Sequence, residues 1–218
     1  YGHVLGAIAG EPESRPQALP FWQQARETSV EAPGSESLPS WISKAVAHFA
    51  PQVAIDGPDG AVTYRQLGER VDALARRLVA RGVGSETPVG ICLEPNADLP
   101  IVLLSVVRAG GCYVPLDPDQ PPLRLAKMVA ATGCGLVLCD ARTADLASKT
   151  GAIAVTVADL AAGDDPGAVP MVDPDPDQLV YIMHTSGSTG APKSVGISHR
   201  AFANLLGSMA ASPGLEPT

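Results

Sequence analysis

The chain has 218 residues, 45% of them apolar and 17% charged, with a formal net charge of −8. That length fits one domain or one and a half, with enough apolar residues for a real core. The acidic balance argues against a broad nucleic-acid or anionic-membrane surface, and no window approaches the roughly 20 apolar residues of a membrane span.

Residues 1–37 are rich in Pro, Gly, Ser, Glu and Gln, with Phe21-Trp22 as the one strong apolar spot after Ile8. They read as a linker, or as an arm packed on a neighbouring domain. They show no basic region followed by a long apolar run, the pattern of a secretory signal. Position 1 is Tyr rather than Met, so the chain is expected to be a piece of something longer.

Order is expected from Leu38. Trp41, Ala45, Val46 and Phe49 predict a helix over residues 40–50. Val53–Ile55 and Ala61–Thr63 flank Asp56-Gly57-Pro58-Asp59-Gly60, a hairpin signature. Thr63 and Gln66 form a capping box, and the helix after them carries Leu67, Val71, Leu74 and Leu78 on one face. Arg65, Glu69, Arg70, Arg76 and Arg77 read as its solvated face, and Gly82 as its end. Strands are predicted over 89–93, 112–114, 136–139 and 153–157, alternating with helices over 99–108, 121–132 and 141–149. Such alternation predicts an α/β fold with a mostly parallel sheet and flanking helices. Residues 158–177, rich in Asp, Pro, Gly and Ala, read as an exposed loop. Cys92, Cys112, Cys134 and Cys139 sit among apolar neighbours without a CxxC, so buried free thiols are expected, as in a reducing cytoplasm.

The most informative stretch is Leu179–Ala203. An apolar run ends in Thr185-Ser186-Gly187-Ser188-Thr189-Gly190, followed by Pro192, Lys193, a short apolar run Val195–Ile197 and a helix from His199. Gly and Ser clusters are commonly plain surface loops. The same residues also suit phosphate. Glycines let the backbone approach an anion, successive N–H groups turn inward, hydroxyls donate, and Lys193 supplies a positive charge. A Walker A loop needs glycine before its lysine, where Pro192 stands, and the GxGxxG pattern lacks its third glycine.

The stretch TSGSTGAPKS followed by His199-Arg200 resembles the signature of the adenylate-forming superfamily, most closely the adenylation domains of nonribosomal peptide synthetases. It departs from that pattern at His184, where Tyr is usual, and at Ser194, where Gly is usual. Two further stretches carry the resemblance: Val62-Thr63-Tyr64-Arg65-Gln66-Leu67, and Arg108-Ala109-Gly110-Gly111-Cys112-Tyr113-Val114-Pro115-Leu116-Asp117-Pro118 with Arg124-Leu125 after it. Both read as architectural, a capped helix and a Gly-turn-strand-Pro corner. The resemblance covers residues 38–218 and implies the N-terminal portion of an adenylate-forming core; the family's later motifs are not found here.

The resemblance also implies the chemistry. The intact enzyme joins an amino-acid carboxylate to the ATP α-phosphate, releases pyrophosphate, and passes the acyl group to a phosphopantetheine thiol on a carrier protein. Thr185, Ser186, Gly187, Ser188, Thr189 and Gly190 hold phosphate, and Lys193 is the catalytic cation that balances the leaving group. Mg²⁺ bridges phosphate oxygens, with its carboxylate ligand expected downstream. Partners implied are adjacent condensation and carrier-protein domains and, in some members, a small activator protein. His199 reads as a loop-ordering residue, a site residue or a helix N-terminal polar group, the last being preferred. His184 reads as a packing residue rather than a nucleotide contact. Two alternatives stand beside this reading: an acyl- or aryl-CoA ligase, and a catalytically inactive structural or docking fragment.

Overall fold

The computed structural model of the chain describes residues 37–57, 60–167, 173–185 and 193–209. The arm expected over residues 1–37 lies outside these except for Ser37. That residue caps α1 (Leu38–His48): its hydroxyl accepts from the Ser40 N–H at 3.2 Å and donates to the Asp173 carboxylate. With Ser37 as cap and Pro39 in the first turn, α1 starts two residues before the helix expected over 40–50.

The strands β1 (Val53–Gly57) and β2 (Gly60–Thr63) pair antiparallel, as the turn signature predicts. The capping box then starts α2 (Tyr64–Ala80). The Thr63 N–H donates to Gln66 Oε1 at 2.9 Å, and the Gln66 N–H donates to Thr63 Oγ1 at 3.3 Å. Gly82, at φ 86°, turns the chain out of the helix.

Alternating elements follow: β3 (Pro88–Cys92), α3 (Asp98–Arg108), β4 (Cys112–Pro115), α4 (Pro122–Thr132), β5 (Leu136–Cys139), α5 (Ala144–Ser148), β6 (Ile153–Thr156) and α6 (Val157–Ala162). The chain closes with β7 (Leu179–Thr185), β8 (Lys193–Ser198) and α7 (His199–Met209). The main sheet has the order β6-β5-β3-β4-β7-β8; its first five strands are parallel and β8 runs antiparallel to β7.

Two elements differ from expectation. The helix predicted over 141–149 shortens to α5, because the Asp140 carboxylate takes the N–H groups of Arg142 and Thr143 at 2.8 and 2.9 Å and holds them in a turn. The loop expected over 158–177 begins instead with α6. Thr156 caps it by accepting from the Asp159 N–H at 3.0 Å, and Leu160 anchors it, fully buried.

Successive strand residues face opposite sides of the sheet. Val89, Ile91 and Leu138 join Leu67, Val71, Leu74 and Leu78 of α2 and Ile101, Val102 and Val106 of α3 in one core layer. Cys92, Val137 and Cys139 join Leu125, Met128 and Val129 of α4 in the other. Gly90 sits between them in mid-sheet. A Cβ there would lie 2.9 Å from both Leu116 Cδ1 and Val137 Cγ2, so any side chain at this position must displace those two. All four cysteines are buried and free, as expected.

Candidate phosphate-binding site

The site is built on the β7–β8 hairpin. Tyr181 on β7 pairs with Tyr113 on β4, their rings stacked at 5.3 Å, and Phe202 of α7 meets Tyr181 edge-on at 5.7 Å. The base of β7 is tied down by the Leu179 N–H to Glu86 Oε1 at 3.0 Å and by Gln178 Nε2 to Ser85 Oγ at 2.7 Å. The hairpin register ends with Thr185 opposite Lys193. Antiparallel partners lie about 4.5–5.5 Å apart at Cα, so the chain leaves and returns at one point. Both residues are exposed, and Lys193 makes no ion pair among the described residues. Ser186, Gly187, Ser188, Thr189 and Gly190 lie outside the described residues. Of the predicted site, the structure therefore brings Thr185 and Lys193 together at the loop mouth.

One step back from the mouth, His184 stands opposite Ser194, with His184 Nε2 3.2 Å from Ser194 Oγ. Among the described residues, His184 Nδ1 is buried without a hydrogen-bond partner. Burial, and then the Arg124 guanidinium, lower its pKa below the ordinary histidine value. So His184 does more than pack: it bonds across the hairpin.

His199, the first residue of α7, is only 3% exposed, and its Nδ1 also lacks a partner among the described residues. Burial lowers its pKa, opposed by Asp173. It is the preferred helix N-terminal group, but buried rather than solvated. The α7 N-terminus is already satisfied by the chain: the His199 N–H reaches Gln178 O at 2.9 Å, Arg200 N–H reaches Pro176 O at 2.8 Å, and Ala201 N–H reaches Ser198 Oγ at 3.3 Å. It offers no free anion site.

Beside the hairpin lies a cavity of about 480 Å³. Ile91, Leu93, Leu99, Leu103, Leu116 and Met128 make its apolar wall, and Glu94, Asp117, Arg124 and His184 its polar edge. It opens at the C-terminal ends of β3 and β4, where the chain departs to α3 in one core layer and α4 in the other. Such a point, where the loops diverge to opposite faces of a parallel sheet, is where α/β proteins bind ligands. Asp140 braces it, Oδ2 accepting from the Glu94 N–H at 3.2 Å.

The stretch Arg108–Pro118 leads into this wall. Gly110, at φ 86°, ends α3, and Leu116 donates its N–H to Ile91 O at 2.8 Å. Asp117 Oδ1 accepts from the Asp119 N–H at 3.0 Å and Oδ2 from Gln120 Nε2 at 3.1 Å, which holds its carboxyl below the usual carboxylate range. The architectural reading stands for Gly110–Val114. Sequence reasoning missed the placing of Leu116, Asp117 and Arg124 in a cavity wall; the only signal was the position of Leu116 and Asp117 just past a strand end, with Arg124 in the first turn of the helix that follows. The arginines of α2 are not simply solvated either. Arg70 pairs with Asp98 at 2.5 Å, Arg76 with Asp165 at 3.2 Å, and Arg77 Nε donates to Gly163 O at 3.0 Å.

No group of three or more His, Cys, Asp or Glu stands together as a metal site among the described residues. None of the described helices is long and apolar enough to cross a membrane.

The family described as AMP-binding enzyme matches residues 42–217. The chain belongs to the AMP-binding enzyme family. Within that family it is similar to a linear gramicidin synthase of Brevibacillus parabrevis, 36% identical over 219 residues, covering 94% of this chain and 4% of that protein. It is 40% identical over 177 residues to the AMB antimetabolite synthetase AmbB of Pseudomonas aeruginosa, covering 81% of this chain and 14% of the relative. The N-terminal subdomain of NpsA from Klebsiella oxytoca superposes with a TM-score of 0.67 at 28% identity, over 77% of this chain and 43% of that one. The chain thus spans a small part of the length of these synthetases. Its fold, a mostly parallel sheet with flanking helices, is that of an N-terminal subdomain of an AMP-binding enzyme.

Proposed function

We propose that this chain is the N-terminal part of a nonribosomal peptide synthetase adenylation domain. In the intact protein it activates an amino acid with ATP to aminoacyl-AMP, releases pyrophosphate, and serves a phosphopantetheine thiol on a carrier protein. The family match over residues 42–217 carries this reading, and the likeness to two synthetases supports it.

The nucleophile is the substrate's own carboxylate, so the protein's work is positioning and charge neutralisation. Thr185 and Lys193, opposite each other, put a hydroxyl and an ammonium at the two ends of the loop. Ser186, Gly187, Ser188, Thr189 and Gly190 complete the cradle for the β- and γ-phosphates. Lys193, exposed and unpaired among the described residues, fits as the cation that balances the leaving pyrophosphate. Mg²⁺ would add charge neutralisation at the triphosphate, with its carboxylate ligand expected downstream. The amino acid, the adjacent condensation and carrier-protein domains, any small activator protein and a cytoplasmic setting belong to the same proposal.

The test is amino-acid-dependent ATP–pyrophosphate exchange, run on this chain and on the longer polypeptide that contains it. Exchange by the longer polypeptide alone supports the reading. Absence of exchange with a full panel of amino acids, together with thioester formation from acyl or aryl acids and coenzyme A, replaces it by CoA-ligase chemistry.

A further inference from the structure

We propose that His184 and Ser194 form a clasp that sets the spacing of the loop mouth, and so position the loop for phosphate. The proposal rests on the reading of residues 185–193 as the phosphate holder.

The clasp stands where it matters. Among the described residues β8 lies at the edge of the sheet, paired with β7, and its residues from Lys193 to Gly196 are exposed. Fraying at this end widens the mouth of the loop directly. Only the Thr185–Lys193 pair lies between the clasp and the loop. Among the described residues, His184–Ser194 is the one side-chain hydrogen bond joining β7 to β8. A loop whose ends are held together has less freedom to lose when its amides converge on an anion.

Among the described residues His184 Nδ1 is buried without a partner, and this assigns the proton within the clasp. A buried N–H left unpaired costs more than a bare ring nitrogen in the same place. The neutral ring therefore carries its hydrogen on Nε2 and donates it to Ser194 Oγ. A second proton would add an unpaired buried N–H on the side of the Arg124 guanidinium. The protonated ring must swing away, and the clasp opens. The charged groups around His184 are Arg124 on α4, Glu94 after β3, Asp117 and Asp119 after β4, all lining the same cavity, and Lys193 beside Ser194 on β8.

This gives a sign that simple electrostatics does not. Adding positive charge near an anion site strengthens anion binding. Protonating His184 by the clasp mechanism weakens it.

The experiment is calorimetric titration of inorganic pyrophosphate into the longer polypeptide that contains this chain, between pH 5 and 8, with H184Q, S194A and S194T beside the wild type. H184Q keeps an N–H donor but does not titrate, and the ligand's own titration cancels in the ratio of the two proteins. The clasp predicts that wild-type affinity falls relative to H184Q as the pH is lowered. It predicts that S194A binds about threefold to tenfold more weakly at pH 8, the worth of one hydrogen bond. S194T, which retains the hydroxyl, recovers most of that loss. Thermal melting at each pH separates loss of binding from loss of fold. Wild-type affinity that rises relative to H184Q on acidification, or S194A binding like wild type, overturns the clasp and leaves the phosphate reading standing. No pyrophosphate binding by a folded wild-type chain overturns both.

Discussion

Thr185 and Lys193 are direct cross-strand partners at the open end of the β7–β8 hairpin. Eight residues apart in sequence, they are brought opposite each other by the strand register. The hairpin is in turn fixed to the parallel sheet through Tyr181 and Tyr113. The two residues thus stand on a rigid element, which the positioning role proposed for them requires.

Removing the Lys193 charge is expected to cost far more than removing a surface arginine. Lys193→Ala in the intact protein should lower ATP-dependent turnover about 10- to 100-fold, the worth of a charge-assisted contact. Arg76→Ala breaks an exposed pair with Asp165 and should change turnover less than about twofold. Pyrophosphate exchange rates on both variants check this, and equal effects would sink the role given to Lys193.

Acid should destabilise the fold through two histidines. The His184 and His199 pKa values are lowered by burial, with Arg124 adding to the first and Asp173 opposing the second. The unfolded chain, with histidines near pH 6.5, therefore binds more protons than the folded one just below that pH. Their stabilising contribution is fully present above about pH 6.5 and is lost as the pH falls below it toward the folded-state values. Urea midpoints measured from pH 8 to pH 5 should fall with a break near pH 6.5. His199→Asn should flatten part of that slope; an unchanged slope in that variant would assign the effect elsewhere.

The thiols should be silent in the native protein. Burial pushes Cys92 and Cys112 up to about 11 each, and Cys134 and Cys139 are raised as well. At pH 8 the thiolate is scarce and the sulfur is covered. Iodoacetamide followed by mass spectrometry should find these four unmodified in buffer and all modified in denaturant. Rapid labelling of any one of them under native conditions would contradict the burial.

Leu125, fully buried under the cavity wall, ties α4 to the sheet. Leu125→Ala should cost about 2–5 kcal/mol in chemical unfolding. The capping box is a smaller term: Thr63→Ala should cost about 1 kcal/mol. A reversed order would mean that α4 relaxes to fill the space.

Much of the fold was legible because its signals are local. The Thr63–Gln66 box, the Gly82 exit, the apolar face of α2 and the strand–helix alternation each depend on residues within a turn or two of one another. The errors came from residues whose partners are distant or whose side chains compete with the backbone. Asp140 shortens α5 by capturing two N–H groups, and Leu160 makes a helix of a stretch whose composition reads as loop because α2 is there to bury it. His184 and Ser194 were visible as departures from a pattern, but nothing in their spacing said that they face each other.

By itself the sequence determined the family and the parallel α/β plan, since motif residues and periodicity are properties of contiguous chain. Only the tertiary structure decided that Thr185 meets Lys193, that His184 bonds Ser194, and that Leu93, Leu116 and Arg124 share one cavity. Sheet order brings those residues together from four strands and a helix, and strand pairing between distant segments is set by the core they bury in common, which no local stretch encodes.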